Sequence, residues 1–226
     1  MQQLSQAEFI KRYKRFFADV RLRDDVVVAH VPNTGSLKTC LFEGAACLVS
    51  ETDNPKRKLK ATLHYVKAPT SWVGVDTSLP NRMVHESWRT LWPDYQWAKP
   101  EFKLSAETRL DLALGIDAEP AHYVEIKNVT LAENGIARFP DAVTTRGQKH
   151  LRELMALHAQ GFKAEILFVI QRQDCTEFQP ADTIDPEYGR LLREATAAGV
   201  IARALVCAMD LTNGMTLNGS EVPVKP

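Results

Sequence analysis

The sequence predicts an all-β first domain, residues 1–78, followed by a mixed α/β domain, residues 79–226. Three observations carry that expectation. Short apolar runs broken by turn residues fill the first third of the chain, with almost no helical period. From Asn81 onward, helical and strand periods alternate. Charge divides in much the same way: residues 1–99 hold 15 Lys and Arg against 10 Asp and Glu, and residues 100–226 hold 13 against 18. A net charge of zero therefore hides a basic half suited to a polyanion and an acidic half suited to cations.

In the first domain, Phe16–Val20 and Val26–His30 read as strands separated by the charged turn Arg23-Asp24-Asp25. Pro32-Asn33-Thr34-Gly35-Ser36 is a strong turn signal. It either binds phosphate through backbone N–H groups or is a tight structural turn. Ala45–Val49, Ala61–Val66 and Ser71–Val75 supply three more strands. Five short strands fit a small barrel of the OB type.

In the second domain, Asn81–Trp92 reads as a helix with Asn81 as N-cap and Pro93 as stop. Strands follow near Thr108–Leu114 and Tyr123–Leu131. Thr145–Gln160 is a helix with Leu151, Leu154, Met155 and His158 on one face and Gly161 beyond its end. Ala164–Ile170 is a buried strand. Asp185-Pro186 opens another helix by cap and N1 proline, Gly199 closes it, and Ala204–Met209 is the last core strand.

The chemistry centres on His122-Tyr123-Val124-Glu125-Ile126-Lys127-Asn128-Val129. Strand alternation points Glu125 and Lys127 to one side and Val124, Ile126 and Asn128 to the other. Asp111 lies fourteen residues earlier in a second apolar stretch that can pair with the first. Two carboxylates and a lysine on adjacent strands suit metal-assisted attack on a phosphodiester: the acids hold Mg2+ or Mn2+, and the lysine stabilises charge or orients water.

Several blocks resemble one family. They are Val31-Pro32-Asn33-Thr34-Gly35-Ser36, Asn54-Pro55-Lys56-Arg57-Lys58-Leu59, Val75-Asp76-Thr77-Ser78-Leu79-Pro80-Asn81, Glu125-Ile126-Lys127-Asn128-Val129-Thr130-Leu131 and Phe139-Pro140-Asp141-Ala142-Val143-Thr144-Thr145-Arg146-Gly147-Gln148-Lys149-His150-Leu151. In order and content they are similar to the sugar fermentation stimulation protein family. The resemblance implies an N-terminal OB-like barrel followed by a PD-(D/E)xK nuclease-like domain. It also implies DNA binding with little sequence preference and a link to regulation of maltose metabolism genes. By position, Asp111 fills the motif's aspartate, Glu125 its second acid and Lys127 its lysine, while Leu110 replaces the proline that names the motif. Metal would be held by Asp111, Glu125 and the carbonyl of Ile126. Glu86 on the Asn81–Trp92 helix and Glu107, evenly spaced from Asp111, are alternative extra ligands.

Two basic clusters fit DNA. Lys11, Arg12, Lys14, Arg15, Arg21 and Arg23 are interleaved with Tyr13, Phe16 and Phe17, and Lys56-Arg57-Lys58 is followed by Lys60. Such residues attract phosphates without regard to sequence, and aromatics can stack bases. Their alternative is a solvated face. Arg146 and Lys149 open a helix whose N-terminus either grips a phosphate or is a solvated first turn. Asp141 reads as a turn cap with no catalytic role.

Other classes find no support. There is no G-x-x-x-x-G-K loop, no G-x-S-x-G elbow and no His pair at metal spacing. No apolar stretch nears the ~18 residues that cross a bilayer, the N-terminus lacks a secretion signal, and Cys40, Cys47, Cys175 and Cys207 fit buried thiols in a reducing cytoplasm. The expected function is low-specificity DNA binding with a metal-dependent nuclease site. The rival is a non-catalytic DNA-binding regulator. A homodimer would suit cutting both strands, though no segment demands one.

Overall fold

A computed structural model describes residues 3–105 and 108–226. β1 (Leu4–Tyr13), β2 (Phe17–Leu22), β3 (Asp25–His30), β4 (Ala46–Glu51) and β5 (Ala61–Lys67) form a barrel. β1 pairs with β2 and β4, β2 with β3, and β4 with β5. A short parallel pairing of β3 with β5, Ala29 opposite Ala61, closes the ring. This is the OB-type barrel the sequence predicts, but with a different strand set. β1 was not anticipated, because only Phe9 along it is buried and a bulge between Phe9 and Lys11 interrupts its alternation. The expected Ser71–Val75 strand is β6 (Trp72–Gly74), which hangs on β5 outside the ring and meets Arg172 of the second domain.

The expected Asn81–Trp92 helix is two pieces, α1 (Leu79–Glu86) and α2 (Trp88–Leu91), broken at Ser87. Ser78, not Asn81, sits at the N-cap. Pro80 falls in the first turn, where its missing N–H costs nothing. That start places Asn81 inside the helix, with its amide free to reach sideways.

β7 (Trp97–Lys103), β8 (Arg109–Ile116) and β9 (Glu119–Val129) follow as antiparallel neighbours. β10 (Leu131–Glu133), β11 (Ile136–Phe139) and the later β13 make a small separate sheet. α3 (Thr145–Ala159) leads to β12 (Lys163–Ile170), which lies parallel to β9. β13 (Glu177–Pro180) and α4 (Pro186–Ala197) lead to β14 (Ile201–Asp210), parallel to β12, and β15 (Gly214–Val222) finishes the sheet in the order β15-β14-β12-β9-β8-β7. Parallel neighbours need helical crossovers, and α3 and α4 provide them. The edge strands β7 and β15 escape sequence reading: β7 contains Pro100, and β15 is rich in Gly, Asn and Ser.

β9 reads as a continuous apolar run because both of its faces are covered. On one side, Tyr123 and Val129 pack with Leu151 and Leu154 of α3 and Tyr188 and Leu192 of α4. On the other, Val124 and Ile126 pack with Met83 and Val84 of α1, Trp88 of α2, and Leu48 and Tyr65 of the barrel. The second core therefore spans both domains. The seam is also hydrogen-bonded: Met215 N donates to Tyr65 Oη at 3.1 Å, and Gly74 N donates to Gln171 O at 2.9 Å. The buried face of α3 is Gly147, His150, Leu151, Leu154 and Leu157, turned slightly from the expected one, so Met155 and His158 are only partly covered. All four cysteines are buried free thiols.

Asp185 fixes the helix pair beside β9. Its carboxylate, 2 % exposed, accepts from Tyr188 N at 3.0 Å, Thr144 N at 2.9 Å and Gln148 Nε2 at 2.9 Å. Asp185→Ala would leave the α4 cap and two further donors without a partner. The expected cost is about 2–3 kcal/mol, read as a lower urea midpoint at unchanged slope.

Candidate active site

Asp111 on β8 and Glu125 and Lys127 on β9 meet in one recess of about 230 Å³, with Asn81, Arg146 and His150 also in its walls. The β8–β9 register pairs Leu112 with Val124, and carried one residue further it sets Asp111 directly across from Glu125. Asp111 is held from two sides: Ile126 N donates to Oδ2 and Asn81 Nδ2 to Oδ1, both at 2.8 Å. Lys127 Nζ donates to Glu125 Oε1 at 2.6 Å. His150 Nδ1 contacts the same oxygen and lies 3.2 Å from Lys127 Nζ. Arg146 Nε points to His150 Nε2 at 3.4 Å, so the first turns of α3 back the acid–lysine pair.

The electrostatics of the two acids differ. Burial, and then the charge of Glu125, pushes the Asp111 carboxyl up to about 6. Burial also works against ionised Glu125, but Lys127 and His150 outweigh it and hold that carboxyl below its ordinary value. Glu125 Oε2 is buried and has no hydrogen-bond partner. An orphaned carboxylate oxygen in the same recess as a second carboxylate could take a cation as its partner.

The donor set also limits which cation fits. Among the described residues, no group of three or more His, Cys, Asp or Glu side chains converges on one point. Two carboxylates beside a strand carbonyl suit a hard ion that keeps several waters and takes further oxygens from a phosphate, as Mg2+ does. A soft, fully protein-ligated ion such as structural zinc does not fit.

The other candidates separate. Glu86 is exposed at the end of α1 and lines no part of the recess. It follows Asn81 by five residues, about 140° around the helix, so once Asn81 faces Asp111 the acid faces away. Glu107 lies outside the described residues. Lys149 is turned outward to Glu153 at 3.6 Å, while Arg146 lines the recess. Gln148 is spent on Asp185.

In the barrel, Arg12 is a structural residue. Its guanidinium donates to the carbonyls of Asn33, Gly35, Ser36 and Arg15, and burial lowers its pKa. Lys11 pairs with Asp19 at 3.6 Å, and Arg57 turns to Thr62 Oγ1 at 2.8 Å. Lys56 and Lys58 are exposed on the β4–β5 connection, and Lys14 and Arg15 are exposed at the β1–β2 turn. The Asn33–Ser36 turn is of the structural kind: Ser36 N donates to Asp141 Oδ2 at 2.6 Å, and Ser36 Oγ donates to the same oxygen at 3.2 Å. Asp141 is a turn cap, but of this distant turn in the barrel, a partner its own stretch of sequence does not indicate.

His150 and Asn81 are the site residues that sequence reading missed. His150 carries a signal, since it is a polar residue on the buried stripe of an amphipathic helix. Asn81 carries none, because its role depends on where α1 begins.

Known proteins match over nearly the whole chain. Residues 10–75 match the model of the SfsA N-terminal OB domain, and residues 78–213 match that of the sugar fermentation stimulation protein RE domain. A sugar fermentation stimulation protein homolog of Bdellovibrio bacteriovorus is 53% identical over 98% of this chain and 97% of its own. A homolog from Geotalea uraniireducens is 50% identical over 86% of both chains. A solved structure of Pyrococcus furiosus SfsA in complex with Ca2+ covers 100% of this chain and 98% of its own, with TM-score 0.87 and 28% identity.

Proposed function

We propose that this chain, which belongs to the sugar fermentation stimulation protein family, binds DNA with little sequence preference and hydrolyses its phosphodiester bonds with a divalent cation. The observation that carries the reading is the recess itself: two carboxylates, one with an unpartnered buried oxygen, beside a lysine held at 2.6 Å. The Ca2+ in the Pyrococcus furiosus relative supports a hard-ion preference. The natural ion would be Mg2+ or Mn2+, in a cytoplasmic protein.

Asp111, Glu125 and the Ile126 carbonyl would hold the ion. When bound, it supplies the Lewis acid that polarises the phosphate. The protein's own groups do the rest. Asn81 and the Ile126 N–H keep Asp111 aimed inward. His150 holds Glu125 and Lys127 in one orientation. Lys127 orients the attacking water and stabilises charge developing on the phosphoryl oxygens. Arg146, in the first turn of α3, anchors a neighbouring phosphate with help from the helix N-terminus.

The test follows Mn2+ binding by calorimetry and scission of end-labelled single-stranded, duplex and branched DNA in the same samples. Wild type should bind the ion and cut, and Glu125→Gln should lose both together. Binding of DNA in every lane with no cutting by wild type would favour the non-catalytic regulator.

A further inference from the structure

We infer that an unpaired nucleic-acid strand runs from the active-site recess across the domain seam to the β1–β2 turn of the barrel. This rests on the DNA-binding half of the proposed function and is independent of catalysis. The path is a chain of three clefts. The recess shares Thr77, Asn128 and Thr144 with a middle cleft of about 300 Å³. The middle cleft shares Thr34, Gly35, Ala142 and Val143 with an outer cleft of about 750 Å³.

Each cleft presents cations. Lys127 and Arg146 line the first, Arg138 the second, and Lys14, Arg15 and Lys38 the third. Arg138 is underused: its Nε is buried without a hydrogen bond, and its nearest carboxylate, Glu133, stands 4.0 Å away. The lining acids are Asp111 and Glu125 in the recess and Asp141, which is spent on the Ser36 turn. A run of spaced cations without free acids between them fits a phosphate backbone.

Two features favour a single strand over a duplex. Glu125 and Lys127 are 2 % and 9 % exposed, so the reacting phosphate must descend into a narrow recess. A lone strand bends to do this, whereas a duplex is stiff over this length and resists sharp bending. The path also carries base-sized apolar surface: Val143 stands 67% exposed at the junction of the middle and outer clefts, and Tyr13, its ring stacked on Phe17, lines the outer one. The walls are preformed. Arg12 ties four carbonyls around the outer cleft, three of them in the Asn33–Ser36 turn, and Asp141 pins the same turn from the second domain.

The test is anisotropy of fluorescein-labelled oligothymidylate in EDTA, where binding is read without cutting. The Lys14→Gln/Arg15→Gln/Lys38→Gln variant should bind at least ~10-fold more weakly. Its log–log salt slope should fall by about 2, from roughly 0.7 per lost phosphate contact. Lys56→Gln/Lys58→Gln tests the rival surface outside these clefts and should change affinity by no more than about twofold. In a second measurement, the Val143→Cys thiol should react with maleimide several-fold more slowly when the strand is bound; the native thiols are all buried. Unchanged binding by the triple variant, an unprotected thiol, or a duplex binding as tightly as the single strand would overturn the path while leaving DNA binding standing. No binding by wild type would overturn both. Binding without cleavage in Mg2+ would overturn only the catalytic reading.

Discussion

Lys127→Met lowers the single-turnover rate of Mg2+-dependent DNA cleavage by about 100- to 1,000-fold, while DNA affinity in EDTA falls by no more than about threefold, the loss of one phosphate contact among several. The magnitude is that of losing one preorganised charge aimed at a developing phosphoryl charge, about 3–4 kcal/mol of barrier. Methionine keeps the packing of a side chain that is nearly buried on β9. It also leaves His150 in contact with Glu125, so one partner of that carboxylate survives. The expected pattern is a fall in kcat with little change in KM, because the ammonium acts in the transition state. A circular dichroism melt guards against misfolding. If the variant folds and cuts as fast as wild type, Lys127 has no part in the chemistry.

Asp111→Asn should remove cation binding and cleavage and yet stabilise the ion-free protein. In the unfolded chain the Asp111 carboxyl ionises near 3.8, and in the fold near 6. Between those values the folded state binds more protons, so stability falls as pH rises, and the full penalty is present above about pH 6. Two units correspond to about 3 kcal/mol. The asparagine cannot accept from both Ile126 N and Asn81 Nδ2 as the carboxylate does, which returns about 1 kcal/mol. In EDTA at pH 8 the variant should therefore melt about 2–8 °C higher than wild type. By pH 4 the difference should vanish or reverse. Added Mn2+ should raise the wild-type melt at pH 8 and leave the variant where it was. Equal melts at pH 8 with and without the substitution would show that the recess does not strain Asp111.

Much of this architecture is legible in the chain because burial leaves patterns. β9 and β12 are covered on both faces and so read as apolar runs, and Asp185-Pro186 and Gly161 punctuate helices by local chemistry. Strand alternation alone puts Glu125 and Lys127 on one face. What escaped was set by tertiary context. β1 buries one residue and carries a bulge, and the edge strands β7 and β15 have a free side that tolerates proline, glycine and polar residues. Arg12 looked like a DNA contact because a charge count is blind to the carbonyls of a turn twenty residues away. Glu86 was a candidate only because the resemblance implies an acid on the first helix; in the fold Asn81 holds the face toward Asp111, and Glu86 lies about 140° around the helix from it.

The Asn81–Asp111 contact and the His150–Glu125–Lys127 cluster show the general point. Each joins elements separated by more than twenty residues, and neither has a motif of its own. What the sequence supplied was the pair of acids and the lysine. The fold added the groups that aim them and the narrow recess that keeps them from bulk water.

Hydrolysis is tested most directly by a single-turnover time course of 5′-labelled DNA with the unaltered protein, in Mg2+ and in EDTA. Shortened products should accumulate in Mg2+, stay absent in EDTA, and disappear with Glu125→Gln. Full-length DNA at every time point, while anisotropy shows the strand bound, would contradict hydrolysis and leave the acid pair as a cation site without hydrolytic chemistry.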